Sequence, residues 1–247
     1  MAVLSHVQTC VRLIKEAKSI GALTGAGIST NAGVPDFRGP QGLYVTKRYD
    51  ADKIFDIDHF EEDPAAFYEF ARDFLSLEAK LQPTFAHTFL AQLESSGKLK
   101  GLVTQNIDAL HHKAGSQNVL EMHGSFWKSH CRRCRKEFAY TEIKTMLNGN
   151  IAKFAACSCG GVIKPDIVFF GENVKYLDEA YALASRSDLF FVIGTSCVVY
   201  PAAMLPSLVP GKIVIVNKGK VHLNLPNVVL EIQDDIDGFF KEVAESL

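Results

Sequence analysis

No stretch of the 247-residue sequence is long and apolar enough to span a bilayer, and its first residues lack the basic start and apolar run of a secretory signal. An excess of charge is also missing, because 26 Lys and Arg against 28 Asp and Glu give a formal net charge of −2. No global basic field therefore exists to hold nucleic acid or an anionic membrane. These absences lead us to expect a cytoplasmic protein without a membrane partner or a sequence-specific nucleic-acid partner.

The apolar segments of the chain indicate the fold class. Runs such as DLFFVIGTS at 188–196 and KIVIVNKG at 212–219 lack the alternation of half-exposed strands. Such runs are typical of parallel strands that helices cover on both faces. We therefore predict an α/β protein with a Rossmann-like, doubly wound parallel sheet and one smaller inserted module.

Local patterns place the individual elements. Apolar residues at helical spacing predict an amphipathic first helix, a helix over 84–96 that ends at Gly97, and a closing helix over 235–247. Strands are predicted in 19–27, 101–106, 188–196, 212–219 and 227–233. Several of these strands end in small or polar residues, and ligands of open α/β sheets bind at the carboxyl ends of strands. One composite site at that edge is the expectation.

Four of the six cysteines form two close pairs, which are Cys131 with Cys134 and Cys157 with Cys159. Two residues separate the first pair, one separates the second, and 22 lie between the pairs. This spacing predicts a zinc ribbon in which four thiolates hold a structural ion. Free thiols or disulfides are alternatives that explain the pairing less well, and the local basic run KSHCRRCRK is more typical of a solvated face than of a nucleic-acid module.

The segment GAGISTNAGVPDFRGP, residues 25–40, begins like a dinucleotide-binding turn. Gly25 and Gly27 match the first two glycines of that fingerprint, but Thr30 stands where the third is expected. An NAD-dependent dehydrogenase would also need an acidic residue at the end of the second strand. Asp50 and Asp52 have no strand-like context, which argues against a dehydrogenase. The dehydrogenase is kept as the alternative from a different class of protein.

Further polar residues follow the second predicted strand. Asp108 suits a helix cap, whereas the amides of Gln105 and Asn106 could bond ribose hydroxyls or a carboxamide. His123 follows a short alternating strand and titrates in the range that a general base needs, although a lone histidine is more often structural. The remaining interpretations are surface positions for His111 and His112 and buried apolar positions for the other two cysteines, Cys10 and Cys197.

Seven motifs in order resemble the sirtuins, the NAD-dependent protein lysine deacylases, and in particular their small prokaryotic members. They are the segment 25–40, TQNIDALHHKAG, HGSF, the two cysteine pairs, KPDIVFFGE, GTS and VNK, and the resemblance extends over about residues 19–240. It implies a Rossmann-like NAD-binding domain at 1–43, 83–127 and 165–247. A helical insertion at 44–82 and a zinc ribbon at 128–164 would form the small domain.

The resemblance implies an NAD-dependent protein lysine deacetylase that releases nicotinamide, free lysine and O-acetyl-ADP-ribose. Its partners would be an acetyl-lysine protein or peptide and nicotinamide, as product and inhibitor, and its cofactors NAD and one structural Zn²⁺. Protein mono-ADP-ribosyl transfer is the alternative within the family.

The resemblance also implies the roles of many residues. The implied catalytic residues are His123, as general base, and Asn106. The implied NAD contacts are Gly25, Ala26, Gly27, Thr30, Asp36, Phe37, Arg38, Gln105, Asn106, Ile107, Asp108, His123, Gly194, Thr195, Ser196, Asn217, Lys218, Asp235 and Ile236. The implied peptide contacts are Tyr68, Val168, Phe169, Phe170, Gly171 and Glu172.

The resemblance also allows a prediction about the acyl group. Relatives that prefer succinyl or malonyl groups carry Tyr and Arg three positions apart in the small-domain helix. Here Tyr68 matches the Tyr, but Ala71 stands in the Arg position, and Arg72 lies about 100° further around a helix. An unpaired acyl carboxylate would cost several kcal/mol in an apolar tunnel, so we expect a preference for neutral acyl groups, with acetyl first.

Overall fold

A computed structural model describes residues 5–34, 49–78, 80–148 and 153–247 of the chain. The predicted NAD contacts Asp36, Phe37 and Arg38 lie outside the described residues. Two compact units are present. The first takes its residues from 1–36, 82–122 and 176–247, and the second from 37–81 and 123–175. Within the described ranges, no helix is long and apolar enough to cross a membrane.

The described elements alternate between helix and strand over much of the chain. The α-helices are α1 (His6–Glu16), α2 (Ala51–Ile54), α3 (Ile57–Glu62), α4 (Pro64–Glu78), α5 (Phe85–Ser95), α6 (Leu110–Lys113), α7 (Tyr140–Asn148), α8 (Leu177–Ser185) and α9 (Ile236–Glu245). Two 3-10 helices cover Ala26–Ala32 and Ala202–Leu208. The strands are β1 (Ile20–Thr24), β2 (Leu99–Thr104), β3 (Val119–Glu121), β4 (Gly124–Cys131), β5 (Glu137–Ala139), β6 (Ile163–Ile167), β7 (Leu189–Ile193), β8 (Lys212–Val216) and β9 (Val228–Ile232).

The first unit contains a six-stranded parallel sheet in the order β3-β2-β1-β7-β8-β9. This is the strand order of doubly wound dinucleotide-binding sheets, and it confirms the predicted fold class. All residues of β1 and β7 are buried, as their uninterrupted apolar sequences predicted. The order reverses between these two strands, and the crevice at such a switch point is where ligands bind in this architecture.

Helices pack on this sheet through the apolar stripes that the sequence predicted. Ser5 begins α1 with a capping box, because its hydroxyl accepts the Gln8 N–H at 3.2 Å and the Gln8 side chain accepts the Ser5 N–H at 3.1 Å. The Phe89 ring of α5 stacks on the Phe240 ring of α9, with centroids 4.9 Å apart. Both rings belong to the core that the buried face of α1 also joins. Cys10 lies in this core, as expected.

The second unit is built on a three-stranded antiparallel sheet in the order β5-β4-β6. Its helices are α2, α3, α4 and α7. Phenylalanine rings, 5.0 to 6.4 Å apart between centroids, fill its apolar interior. They are Phe55, Phe60, Phe67, Phe70, Phe74, Phe126 and Phe169.

Candidate nucleotide site and metal centre

Two backbone turns touch at the switch point of the parallel sheet. After β1, the Gly27 N–H donates to the Gly194 carbonyl at 2.8 Å, directly beyond the end of β7. A Cβ atom at Gly27 would lie 2.7 Å from the Gly194 Cα, and one at Gly194 would lie 2.3 Å from the Ile28 nitrogen. Gly194 also has φ +64°, a left-handed conformation. Only glycine at both positions allows the two backbones to lie this close together. Gly27 is half-buried, so part of its main chain stays accessible to a ligand.

The residue in place of the third glycine has a clear structural role. Residues Ala26–Ala32 form a 3-10 helix, and the Thr30 hydroxyl donates back to the Gly27 carbonyl at 3.0 Å. In the usual fingerprint the third glycine lets an α-helix pack closely on its strand. Here the segment after the strand is a 3-10 helix, and the Thr30 hydroxyl stabilises it through its bond to the Gly27 carbonyl.

A buried polar network lies behind this turn. The Ser29 hydroxyl donates to Asp108 Oδ2 at 2.7 Å, and Asn106 Nδ2 donates to Ser29 Oγ at 3.2 Å and to the Gly25 carbonyl at 3.3 Å. Asp108 Oδ1 accepts the N–H of Leu110 at 3.0 Å, but the residue at the N-cap of α6 is Ala109, so the expectation that Asp108 is the N-cap is wrong by one residue. Sequence reasoning missed Ser29, although its place inside the glycine turn was a usable signal. The network orients Asn106 and Asp108, while Ile107 between them is half-buried.

The prediction that His111 lies on a helix surface is wrong. Its side chain is only 2% exposed, and its Nε2 is 2.9 Å from Thr24 Oγ1 at the end of β1. Leu110 and His111 are the buried residues of the one-turn helix α6. The His111 ring lies 4.6 Å from the ring of His87, which no sequence pattern had singled out. Burial lowers the pKa of His111 well below its usual value. His112 does lie near the surface, 3.6 Å from Glu121 Oε1.

Burial also lowers the pKa of His87, to about 4, against the opposing charges of Asp108 and Asp237. His87 Nδ1 lies 2.8 Å from Thr84 Oγ1 at the start of α5, and its Nε2 lies 3.5 Å from Ser29 Oγ. Both buried rings are therefore neutral near pH 7. His87 adjoins the Ser29 hydroxyl, and His111 lies beside His87.

Three of the remaining predicted NAD contacts follow β7 and β8. The Thr195 hydroxyl accepts from Gln105 Nε2 at 3.1 Å and from the Cys197 N–H at 3.2 Å, so Gln105 and Thr195 meet across the switch point. Cys197 is buried, as expected. The Ser196 carbonyl accepts the His222 N–H at 2.9 Å, and Asn217 Nδ2 donates to the Gly219 carbonyl at 2.8 Å.

Lys218 and Asp235 come together beyond β8 and before α9. Lys218 Nζ lies 2.8 Å from Asp235 Oδ2, and Asn31 Nδ2 donates to the same oxygen at 3.2 Å. The bond from Lys218 and the N–H of Gly238 hold the pKa of Asp235 at about 2. Ile236 is buried in the core at this point. All the described first-unit residues predicted to contact NAD thus lie beyond the carboxyl ends of strands or at the N-terminal end of α9.

The second unit contains His123 and the predicted peptide contacts. His123 is half-buried, and its carbonyl accepts the Val168 N–H at 2.9 Å. The Phe170 N–H donates to the Phe55 carbonyl at 2.7 Å, and the Phe170 carbonyl accepts the Ile57 N–H at 3.1 Å. Phe169 is buried, whereas the neighbouring Phe170 is 51% exposed. Segment 168–172 is thus paired along one edge and presents an aromatic ring to solvent.

Tyr68 is placed differently from the prediction. Its side chain is fully buried, and its hydroxyl donates to the Ile163 carbonyl in β6. It is a core residue of the second unit, where its ring packs beside Phe60 and Phe67. Ala71, one turn further along α4, is also fully buried. Arg72 is half-buried, and its guanidinium donates to the Lys153 carbonyl at 3.0 Å and to the Tyr68 carbonyl at 3.4 Å.

The four paired cysteines form one cluster. Their Sγ atoms all lie within 4.8 Å of one another, and the Cys131–Cys159 and Cys134–Cys157 separations are 3.5 and 3.7 Å. A tetrahedral Zn²⁺ with Zn–S bonds of about 2.3 Å places its sulfurs about 3.8 Å apart. The Cys134 N–H donates to Cys131 Sγ at 3.4 Å, and such a bond favours the thiolate that a metal requires. The cysteines are free thiols, the geometry fits zinc, and the closed set of four ligands marks a structural site.

A doubly wound sheet with a glycine turn at its switch point, together with a four-thiolate metal module, defines an α/β nucleotide-binding protein with structural zinc. The model of the Sir2 family matches residues 25–201, and the chain belongs to that family.

Its relatives include curated deacetylases. It is 41% identical over 238 residues to an NAD-dependent protein deacetylase of Thermotoga maritima, covering 94% of this chain and 95% of the relative. It is 44% identical over 207 residues to an NAD-dependent protein deacetylase of Saccharolobus solfataricus, covering 82% of each.

Solved structures agree with this assignment. A Sir2 structure with a p53 peptide and NAD⁺ matches with a TM-score of 0.88 at 39% identity, covering 97% of this chain and 98% of the other. A Sir2 protein bound to a propionylated peptide matches with a TM-score of 0.87 at 38% identity and the same coverage.

Proposed function

We propose that this protein removes acetyl groups from protein lysines and consumes NAD as a co-substrate. The observation that carries the proposal is its match over nearly its full length to an NAD-dependent protein deacetylase at 41% identity. The switch-point site provides what the NAD half of this reaction requires. A diphosphate can approach the main chain of the half-buried Ala26 and Gly27, and the Lys218–Asp235 pair provides polar groups for an adenosine ribose.

In this proposal the buried network of Ser29, Asn106 and Asp108 binds the nicotinamide end of NAD. Asp108 is held by Ser29 and by the Leu110 N–H, so its carboxylate can accept the amide N–H of a carboxamide. Asn106 bonds Ser29 and Gln105 bonds Thr195, and in this proposal both amides bond ribose hydroxyls or an ordered water. Orientation of this kind lowers the barrier because the groups are ordered before the reaction begins.

The reaction begins with cleavage of the N-glycosidic bond between nicotinamide and ribose, through an oxocarbenium-like state. The acyl oxygen of the modified lysine bonds to the anomeric carbon as nicotinamide leaves. His123 takes the proton of a ribose hydroxyl, whose oxygen then attacks the acyl carbon. Water enters, and the lysine amine leaves with its proton. One NAD, one acetyl-lysine and one water give nicotinamide, lysine and O-acetyl-ADP-ribose.

The other partners belong to the same proposal. An acyl-lysine peptide adds to segment 168–172 as an extended strand, beside the exposed Phe170 ring. Nicotinamide, as the first product, inhibits by returning to the Asp108 pocket. The zinc is structural and takes no part in a step.

We further propose that the NAD-binding domain consists of residues 1–43, 83–127 and 165–247, and the small domain of residues 44–82 and 128–164. We also propose a cytoplasmic location, for which the reduced cysteines argue.

One assay tests the reaction class. The protein is mixed with NAD and an acetyl-lysine peptide, and free nicotinamide, deacetylated peptide and reduced cofactor are measured. Equal amounts of the first two support deacetylation. Reduced cofactor without nicotinamide would indicate a dehydrogenase, and nicotinamide with unchanged acetyl-lysine would indicate ADP-ribosyl transfer or NAD hydrolysis.

A pair of histidine variants tests the general base. His123→Ala should lower deacetylation by about 100-fold or more, the usual contribution of a general base. His130→Ala is the matched control, because His130 also lies in the second unit, where its Nε2 is 3.6 Å from Glu137 Oε2 near the surface. Full activity of His123→Ala would contradict the assigned role.

A further inference from the structure

Lys164 is a buried cation in the motif KPDIVFFGE, and none of the roles proposed above uses it. Its side chain, in β6, is only 6% exposed. The Nζ atom lies 2.7 Å from Glu172 Oε2, 2.7 Å from the Ile167 carbonyl and 3.4 Å from the Pro165 carbonyl. It also lies 4.0 Å from the centroid of the Phe169 ring. All three ammonium hydrogens thus have acceptors within the segment that ends at Glu172.

Glu172 bonds both Lys164 and the backbone of Phe169. Its Oε2 accepts the Phe169 N–H at 2.9 Å, and its own N–H donates to the Phe169 carbonyl at 3.0 Å. A carboxylate that bonds both an ammonium and a backbone N–H forms charge-assisted hydrogen bonds, which are stronger than neutral ones. The side chain of Glu172 therefore faces inward, towards Lys164 and Phe169.

The two edges of segment 168–172 are consequently different. Val168 and Phe170 donate their N–H groups to His123 and Phe55 on one edge, so the N–H of the intervening Phe169 lies on the opposite edge. On that opposite edge Glu172 already occupies both polar groups of Phe169. A peptide that adds as a strand cannot use them, so the Lys164–Glu172 pair limits where the added strand can bond.

We propose that Lys164 and Glu172 are positioning residues that hold segment 168–172 in the conformation needed to dock the acyl-lysine peptide. This inference rests on the proposed function, in which that segment receives the peptide. Neither side chain touches the reacting atoms. The pair acts through the backbone of Phe169, and through Val168 it reaches the carbonyl of His123.

The test compares peptide and NAD affinity in Lys164→Met, Glu172→Gln and the double variant. Lys164→Met keeps the chain length and removes the charge, which leaves the Glu172 carboxylate partly buried without its cation. We expect the peptide KM, and the Kd of a fluorescein-labelled acetyl-lysine peptide, to rise about tenfold or more, with the NAD KM within about twofold. The double variant should bind the peptide better than Lys164→Met, because no unpaired charge remains.

Lys128→Met is the matched control. Lys128 lies in β4 of the same sheet and forms an exposed pair with Glu137 at 3.1 Å, so its peptide Kd should stay within about twofold of the unchanged protein. If Lys164→Met does not fold, the double variant provides the comparison with the unchanged protein, because it leaves neither a buried ammonium nor a buried carboxylate unpaired.

Several outcomes would overturn the proposal. If Lys164→Met folds, holds zinc and keeps the peptide Kd of the unchanged protein, the pair has no positioning role. An equal rise of the peptide KM and the NAD KM also contradicts the proposal, because it indicates a general loss of structure. Failure of the proposed function has a separate signature. An unchanged protein that binds peptide but forms no nicotinamide contradicts the reaction, and the binding comparison among variants still decides the role of the pair.

Discussion

Gly194→Ala tests whether the two turns at the switch point need their close backbone contact. The new methyl group would meet the Ile28 nitrogen at 2.3 Å and the Gly27 carbonyl carbon at 2.7 Å, both of them main-chain atoms. No side-chain rotation can relieve that overlap. Gly194 also has φ +64°, which an alanine adopts only with strain.

Two costs contribute to the expected effect. The left-handed conformation costs an alanine about 1–2 kcal/mol, and overpacking against fixed neighbours costs about 1–3 kcal/mol more. Gly97→Ala separates them, because Gly97 has φ +75° and an added methyl group there would have nothing within 4 Å. The difference between the variants should therefore be about 1–3 kcal/mol, which lowers the thermal midpoint of Gly194→Ala by a further ~2–12 °C in a chain of this size.

The assay is thermal unfolding followed by circular dichroism, with a parallel measurement of NAD affinity. Gly194→Ala should unfold well below Gly97→Ala, and it should bind NAD more weakly while Gly97→Ala keeps full affinity. Equal midpoints and equal NAD affinity in the two variants would refute the argument, since they would show that the backbone contact is not tight in solution.

Three further predictions concern pH, metal and acyl group. The folded-state pKa of His87, about 4, lies below the ordinary histidine value of 6.5, so the unfolded chain binds more protons between these values. The unfolding free energy should therefore fall by up to about 3 kcal/mol as the pH drops from 6.5 to 4, and His87→Gln should flatten that slope in urea titrations, although His111 contributes in the same direction. The unchanged protein should contain one zinc per chain by elemental analysis, whereas Cys131→Ser should contain less and unfold at a lower temperature; full zinc retention in that variant would contradict the four-thiolate site. Acetyl-lysine peptide should turn over on the order of 100-fold faster than succinyl-lysine peptide, because Ala71 provides no cation for the succinyl carboxylate, and faster turnover of succinyl-lysine would disprove this reasoning.

Much of the fold could be predicted because its signals are local. The uninterrupted apolar runs of β7 and β8 identify strands covered on both faces, and the cysteine spacing by itself identifies the metal module. Strand ends were less accurate. The second strand was expected at 101–106 but covers Leu99–Thr104, because the polar residues that close it belong to the following loop.

What the sequence concealed depends on contacts between distant residues. His111 has the polar neighbours of a surface residue, and only the pairing of β1 with β2 brings Thr24 beside it. Ser29 lies in a recognisable glycine turn, but only the folded chain brings Asp108 and Asn106 to its hydroxyl. Tyr68 was interpreted through its helical spacing, whereas its hydroxyl bonds a carbonyl 95 residues further along the chain. Period and spacing cannot reveal such long-range partners.

The internal bonding of Gln105 and Asn106 has a thermodynamic consequence. Thr195 fixes the first amide and Ser29 the second, so their rotamers are selected when the chain folds. Immobilising a flexible polar side chain at a binding site costs about 0.5–1.5 kcal/mol of conformational entropy. In the proposed NAD site this entropy is lost during folding, so binding would restrict mainly the freedom of the dinucleotide and not that of these two side chains.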